Sequence, residues 1–286
     1  MGAILVSESI GMTVDRPVYS FKVTGLLLLT RGSLVTEKIA QKLKDHGVHV
    51  ICVSEVTNTL TTKESILDVI NPVCFGIASI DAIHRFSELV IQTDSVIPLL
   101  NKLNNHDCVT LSHSLSVGVL MYDYYEKLGI IGDKMGLTGC LHDIGKLYIP
   151  ADILNKPRKL SQNEFEFIKL HPSAGYTLLL EDTTISQLVN METILLHHER
   201  VNGKGYPYGK NTIDKDFLIT PLQMFDVFEA LTSSRSYRVS ASKERAIQIL
   251  TEGIGVEFNE DIAKTVIKYL TEGGIEQCTI RKVQVF

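Results

Sequence analysis

His142-Asp143-Ile144-Gly145-Lys146 ends a helical stretch that begins at Gly132, and this pentapeptide decides how the rest of the chain is read. A second stretch, His197-His198-Glu199-Arg200-Val201-Asn202-Gly203-Lys204-Gly205-Tyr206-Pro207, follows a helical segment over Met191 to Glu199. Adjacent His-Asp and adjacent His-His pairs supply imidazole and carboxylate donors. That donor set suits a transition-metal centre that activates water. The lysine and the glycine-rich turn suit a phosphate substrate. Asp143 at a helix end is free to bridge two metals, because a carboxylate has two oxygens.

Working outward, the apolar spacing is that of helices. Asn105 to Leu128 predicts a long helix carrying His113. Residues 76–104 predict one or two helices, interrupted near Pro98. Ser161-Gln162-Asn163-Glu164 is a capping box, opening a helix through Phe165, Ile168 and Lys169 that carries His171. Pro221 to Thr232 predicts a helix carrying Asp226. Two more follow near 241–252 and 259–271. Helices of this kind pack inward-facing donors around one bundle core. The fold class is mainly α, a helical domain over residues 105–286 that ends in a strand at Thr279 to Phe286. Residues 71–104 read as a helical linker. Residues 1–70 read as a small α+β module. Its strands are expected at Gly25–Thr30 and Val48–Val53, and its helix at Thr36–Asp45, with Thr36 as N-cap and Gly47 as the stop. No internal repeat or low-complexity tract is present.

The 286 residues suffice for one large domain or two ordinary ones. A net charge of −5 argues against a general binder of nucleic-acid polymers, which usually carries a basic excess. The five cysteines are scattered and odd in number, and none form a C-x-x-C pair. They read as free thiols in a reducing compartment. The N-terminus lacks the basic and apolar regions of a secretory signal. The longest apolar stretch, Val69 to Ile80, is too short to span a bilayer. The expectation is a cytoplasmic protein with no membrane contact.

Each candidate has a plainer reading. A lone buried histidine is usually a hydrogen-bonded core residue, so His113 or His171 alone carries little weight. His106-Asp107 is a second His-Asp pair without the following Gly-Lys. It reads as structural, with Asp107 capping a helix. Adjacent His197 and His198 diverge by about 100° on a continuous helix, so they share a metal only if the helix ends or unwinds there. Glu199 reads either as orienting a ligand histidine or as a helix-end carboxylate. Arg235 and Arg238 share a helix face if that stretch is helical, and alone read as solvated charge.

Taken together, the two stretches resemble the two signatures of the HD-GYP family, a branch of the HD metal-dependent phosphohydrolases. Ile153-Leu154-Asn155-Lys156-Pro157, His171-Pro172, Asp226 to Thr232 and Arg235-Ser236-Tyr237-Arg238 resemble family blocks in the same order. The resemblance covers roughly residues 100–270. It implies a helical HD-type domain that hydrolyses cyclic di-GMP to pGpG, sometimes onward to GMP, by attack of a metal-bridging hydroxide. It implies two divalent transition metals, iron or manganese, with His113, His142, Asp143 and Asp226 holding one and Asp143, His171, His197 and His198 the other. Asp143 and Lys146 would be catalytic. Lys146, Tyr206, Arg235 and Arg238 would contact the nucleotide. Members with a third metal use a carboxylate one turn before the first histidine; here that position is Val109, which favours two. The resemblance also leaves room for a weakly active cyclic dinucleotide receptor, for an enzyme acting on cyclic GMP-AMP, for a homodimer, and for a bacterial signalling partner reached through the N-terminal module.

Overall fold

The computed structural model describes residues 2–7, 9–10, 12–14, 18–20, 22–23, 26–29, 33–53, 60–156, 159–210, 216–233 and 240–273. The strand expected at Thr279 to Phe286 lies outside them. The first 53 residues carry β1 (Gly2–Leu5), β2 (Val18–Tyr19), β3 (Leu27–Leu29), α1 (Glu37–Asp45) and β4 (Val50–Val53). Thr36 caps α1 through its side chain, and Gly47 follows the helix with a positive φ of 79°. The strands pair as two separate antiparallel ladders, β1 with β4 and β2 with β3. Among the described residues they form no single sheet, and the small α+β module expected over residues 1–70 is not supported: Leu60, Ile66, Val69 and Ile70 already belong to the helical core. Val6, Val35, Ala40, Leu43, Val48 and Ile51 form a small apolar cluster of their own.

From residue 60 the chain is helical: α2 (Lys63–Leu67), α3 (Ile80–Gln92), α4 (Ile97–His106), α5 (Cys108–Lys127), α6 (Gly132–Leu141), α7 (Ala151–Leu154), α8 (Gln162–Ile168), α9 (His171–Leu180), α10 (Thr183–Leu188), α11 (Met191–Leu196), α12 (Asp216–Thr232), α13 (Lys243–Glu252) and α14 (Glu260–Glu272). One core runs through all of this region. Ile83, Phe86, Val90, Leu100 and Leu103 of α3 and α4 are buried in the same cluster as α5, so the stretch expected as a linker contributes core. The long helix expected from Asn105 breaks at His106. There Asp107 takes an extended backbone and accepts from Thr110 N at 3.1 Å, starting α5 afresh. An aspartate that can cap will compete with helix continuation.

Nearly every side chain of α5 from Leu111 to Tyr125 is buried, as a helix apolar on all faces must be. It packs against α6 and α12. Tyr124 of α5, Phe225 of α12 and Tyr269 of α14 meet edge-to-face with centroids 5.5–5.6 Å apart. Such pairs contribute about 0.5–1.5 kcal/mol each beyond area burial. Helix α12 starts at Asp216, before the expected Pro221, which falls inside it. A proline there cannot donate to the carbonyl four residues back, that of Phe217. The Tyr125 hydroxyl donates to that carbonyl at 2.6 Å and replaces the missing bond.

Cys74 and Cys140 are free and buried. Cys108 is disulfide-bonded, so the free-thiol expectation fails there. A bridge depends on how closely two Cβ atoms approach, which sequence spacing does not report. Among the described residues, no helix is long and apolar enough to cross a membrane.

Candidate metal centre

The histidines approach the centre mainly from helix ends, and those ends orient them. His142 is where α6 stops, His197 is where α11 stops, and His171 opens α9. The last carbonyls of a helix lack partners within it. Nδ1 of His142 donates to Gly139 O at 2.7 Å, that of His171 to Ile168 O at 2.7 Å, and that of His197 to Ile194 O at 2.6 Å. A carbonyl only accepts, so each Nδ1 carries the proton and each Nε2 presents a lone pair. His113 lies inside α5 and its Nδ1 meets the Glu229 carboxylate. Because α11 ends before them, His197 and His198 do not diverge; their ring centroids are 4.1 Å apart.

After His142 the chain leaves the helix at Asp143 and forms a 3₁₀ turn over Ile144–Tyr148 that carries Lys146. Gly145 lies against the start of α9. A Cβ there would stand 2.0 Å from His171 O and 2.4 Å from Gly175 N, so any side chain would drive the turn off His171.

The donors converge. His113 Nε2 is 3.1 Å from Asp226 Oδ1, and His198 Nδ1 is 4.0 Å from Asp226 Oδ2. Asp143 stands between two groups: Oδ2 is 3.5 Å from Nε2 of both His113 and His142, while Oδ1 is 3.2 Å from His171 Nε2. His171 Nε2 and His197 Nε2 are 3.2 Å apart. Donor atoms of His113, His142 and Asp226 lie within 4.8 Å of one another, as do those of His171, His197 and His198, and those of His142, Asp143 and His197.

These contacts set acceptor against acceptor. With the ring protons spent on carbonyls, the lone pairs of His171 and His197 face each other, and that of His171 faces a carboxylate oxygen. His113 Nε2, His142 Nε2 and Asp143 Oδ1 are buried without a hydrogen-bond partner. Each such atom costs about 1–3 kcal/mol, and three in one place need a cation. A divalent metal fits: the set is imidazole and carboxylate, buried and already oriented.

Burial would raise the Asp143 carboxyl, but Lys146, His142 and His171 outweigh it and hold it well below the usual range. Burial acts likewise on Asp226, and His113 outweighs it. Burial lowers His142, and burial with neighbouring rings holds His197 and His198 well below the ordinary imidazole range, the state a ligand needs. For His113, burial is overcome by the Glu229 and Asp226 carboxylates, which raise it to about 9.

The Lys146 ammonium pairs with Asp143 and borders an open cleft of about 320 Å³ beside the centre, lined also by His171, His198, Arg200, Tyr206 and Asp226. The Tyr206 ring stacks on His198 with centroids 4.5 Å apart. Arg235 and Arg238 lie outside the described residues. Val109 is exposed at the start of α5. Glu199 takes neither expected role. It is fully buried and accepts from Tyr208 N at 2.6 Å, Gly209 N at 3.1 Å and Lys210 N at 3.0 Å, anchoring the loop that carries Tyr206. Gly205 lets that loop close: a Cβ there would meet the Glu199 Cα at 2.4 Å. The sequence reading missed Arg200, whose Nη1 donates to the carbonyls of His197 and Glu199, and Glu229. The one signal for Glu229 was its place three residues after Asp226, on the same helix face.

Residues 126–262 match the HD domain family. The chain is 34% identical over 191 residues to a cyclic di-GMP phosphodiesterase of Pseudomonas aeruginosa, covering 66% of this chain and 46% of that protein. It is 37% identical over 145 residues to a 3'3'-cGAMP-specific phosphodiesterase of Vibrio cholerae, covering 49% and 33%. It is 30% identical over 177 residues to a cyclic di-GMP phosphodiesterase of Thermotoga maritima, covering 60% and 48%. The chain thus spans less than half the length of each of these relatives.

Proposed function

We propose that this chain, whose residues 126–262 match the HD domain family, is a member of the HD-GYP branch and a metal-dependent phosphodiesterase that hydrolyses cyclic di-GMP to pGpG. The observation that carries the reading is the convergence of orphaned acceptors beside a cleft lined by Lys146 and Arg200. An HD domain implies divalent metal. In our reading there are two ions, with His113, His142, Asp143 and Asp226 around one and Asp143, His171, His197 and His198 around the other. The position of Asp143 between the groups supports that count. The absence of thiolate among these donors favours iron or manganese. When bound, the metals supply Lewis-acid polarisation of the phosphodiester and activation of the attacking water.

The chain's own residues do the rest. Lys146 places positive charge where a phosphoryl oxygen develops negative charge. Stacking on His198 holds the Tyr206 ring at the cleft wall, where it lines the path of a nucleotide. Cyclic GMP-AMP is the second candidate substrate, supported by the similarity to the 3'3'-cGAMP-specific phosphodiesterase of Vibrio cholerae. We assign a signalling role to the N-terminal segment, a reading supported by the apolar cluster that its residues from Val6 to Ile51 form apart from the helical core.

The test is Asp143→Ala, followed by bound-metal analysis and turnover of cyclic di-GMP and cyclic GMP-AMP by metal-loaded protein. Loss of both metal and turnover is expected. Intact metal with unchanged turnover would sink the assignment.

A further inference from the structure

We propose that Glu229 is the positioning residue for the His113 side of the centre and that Asn71 holds it in place, an inference that rests on the metal-centre reading above. Three of the ligand histidines are oriented by carbonyls at helix ends, His142 and His197 by those of the helices they terminate and His171 by that of the preceding helix. His113 cannot use that device, because it lies inside α5, where the carbonyls serve the helix. Its brace comes from α12. That helix presents Asp226 to Nε2 at 3.1 Å and, one turn later on the same face, the Glu229 carboxylate to Nδ1. Glu229 is almost fully buried. Its Oε1 accepts from Asn71 Nδ2 at 2.9 Å and its Oε2 from Ser233 Oγ at 3.2 Å. Asn71 is itself tied to α5, its backbone N–H donating to Ser116 Oγ at 2.8 Å.

The two halves of the centre therefore differ in kind. A carboxylate on Nδ1 strengthens an imidazole as a metal donor more than a carbonyl dipole does. The His113, His142, Asp226 group carries this charged brace. The rings of His171 and His197 have only carbonyls. The first group is thus the tighter site, and its affinity depends on a residue that touches neither metal nor substrate. The chain runs from Asn71, ahead of the helical bundle's central helix, through Glu229 to His113.

The experiment titrates the metal-stripped full chain with Co²⁺, followed by absorbance and by metal analysis, for wild type, Glu229→Gln and Asn71→Asp. Gln keeps the size and can still accept from His113, but loses the charge. Asp keeps the cap on Val73 N, which Asn71 Oδ1 accepts at 3.0 Å, but cannot donate to Glu229. The expected result is two sites in wild type and selective weakening of one site in Glu229→Gln by about 10–100-fold. Asn71→Asp should shift the same site in the same direction and by less, and it carries the test alone should Glu229→Gln not fold. A purely structural role would weaken both sites together, and that outcome overturns the proposal, as do two variants that titrate like wild type. Wild type that takes up no Co²⁺ overturns the metal-centre reading and this inference with it.

Discussion

Replacing Glu199 with Ala should detach the Tyr206 loop while leaving the metal donors in place. The wild-type carboxylate is fully buried and collects three backbone N–H groups, from Tyr208, Gly209 and Lys210. Hydrogen bonds to a charged acceptor contribute about 1.5–3 kcal/mol each, and three would reach about 4.5–9 kcal/mol if they added. They do not add fully, because residues 208–210 are exposed and their freed N–H groups regain water. A net loss of about 3 kcal/mol is the working figure. That is a large share of the 5–15 kcal/mol that typically holds a domain together, and a factor on the order of 10² in the loop's closed-to-open ratio. Substrate affinity falls with the fraction of closed loop. The assay is threefold: urea midpoint, metal stoichiometry, and the KM for cyclic di-GMP. The expected pattern is a lower midpoint, a KM raised several-fold or more, and unchanged metal. A variant with wild-type midpoint and KM would refute the anchoring role. A variant that loses metal at wild-type KM would return Glu199 to the role of orienting a ligand histidine.

Gly145→Ala should cost more than 3 kcal/mol or displace the Lys146 turn, since its Cβ would stand 2.0 Å from His171 O; a wild-type melting temperature together with wild-type metal content would contradict this. In metal-stripped protein, His113 is raised to about 9 against an ordinary value near 6.5, chiefly by Glu229 and Asp226 against burial. Its contribution to stability is therefore complete below about pH 6.5 and is lost as pH rises through about 9. The urea midpoint of the stripped protein should fall between pH 7 and pH 10, and a midpoint that does not move would refute the shift. Deleting residues 1–53 should leave a folded, metal-binding remainder. Truncation at residue 95 should not, because it removes the fully buried Ile83, Phe86 and Val90, and circular dichroism distinguishes the two cases.

Much of the helical pattern was legible because it is local. The capping box of Ser161 and Glu164, the Thr36 cap and the Gly47 stop occur where the sequence places them. The His-Asp and His-His pairs stood out because adjacent donors are uncommon. What escaped reading depends on partners distant in sequence. Pro221 looked like a helix start because its missing N–H is usually tolerated only there, and nothing near it announces that Tyr125 fills the gap. Residues 71–104 looked like a linker because their amphipathic spacing does not say which surface they cover. Arg200 and Glu229 lie inside stretches that stand out in the sequence, but nothing local says which distant groups they touch.

The sequence by itself determined that the chain is mainly helical, where several helices begin, and which residues could serve as metal donors, because caps, periodicity and donor chemistry are properties of short stretches. Only the tertiary structure decided how those donors face one another. Helix-end carbonyls take the ring protons, Glu229 reaches His113 across 116 residues, and Glu199 anchors the loop that carries Tyr206 at the cleft wall. The physical reason is that a lone pair's direction, and the burial that leaves it without water, come from contacts between elements far apart in the chain.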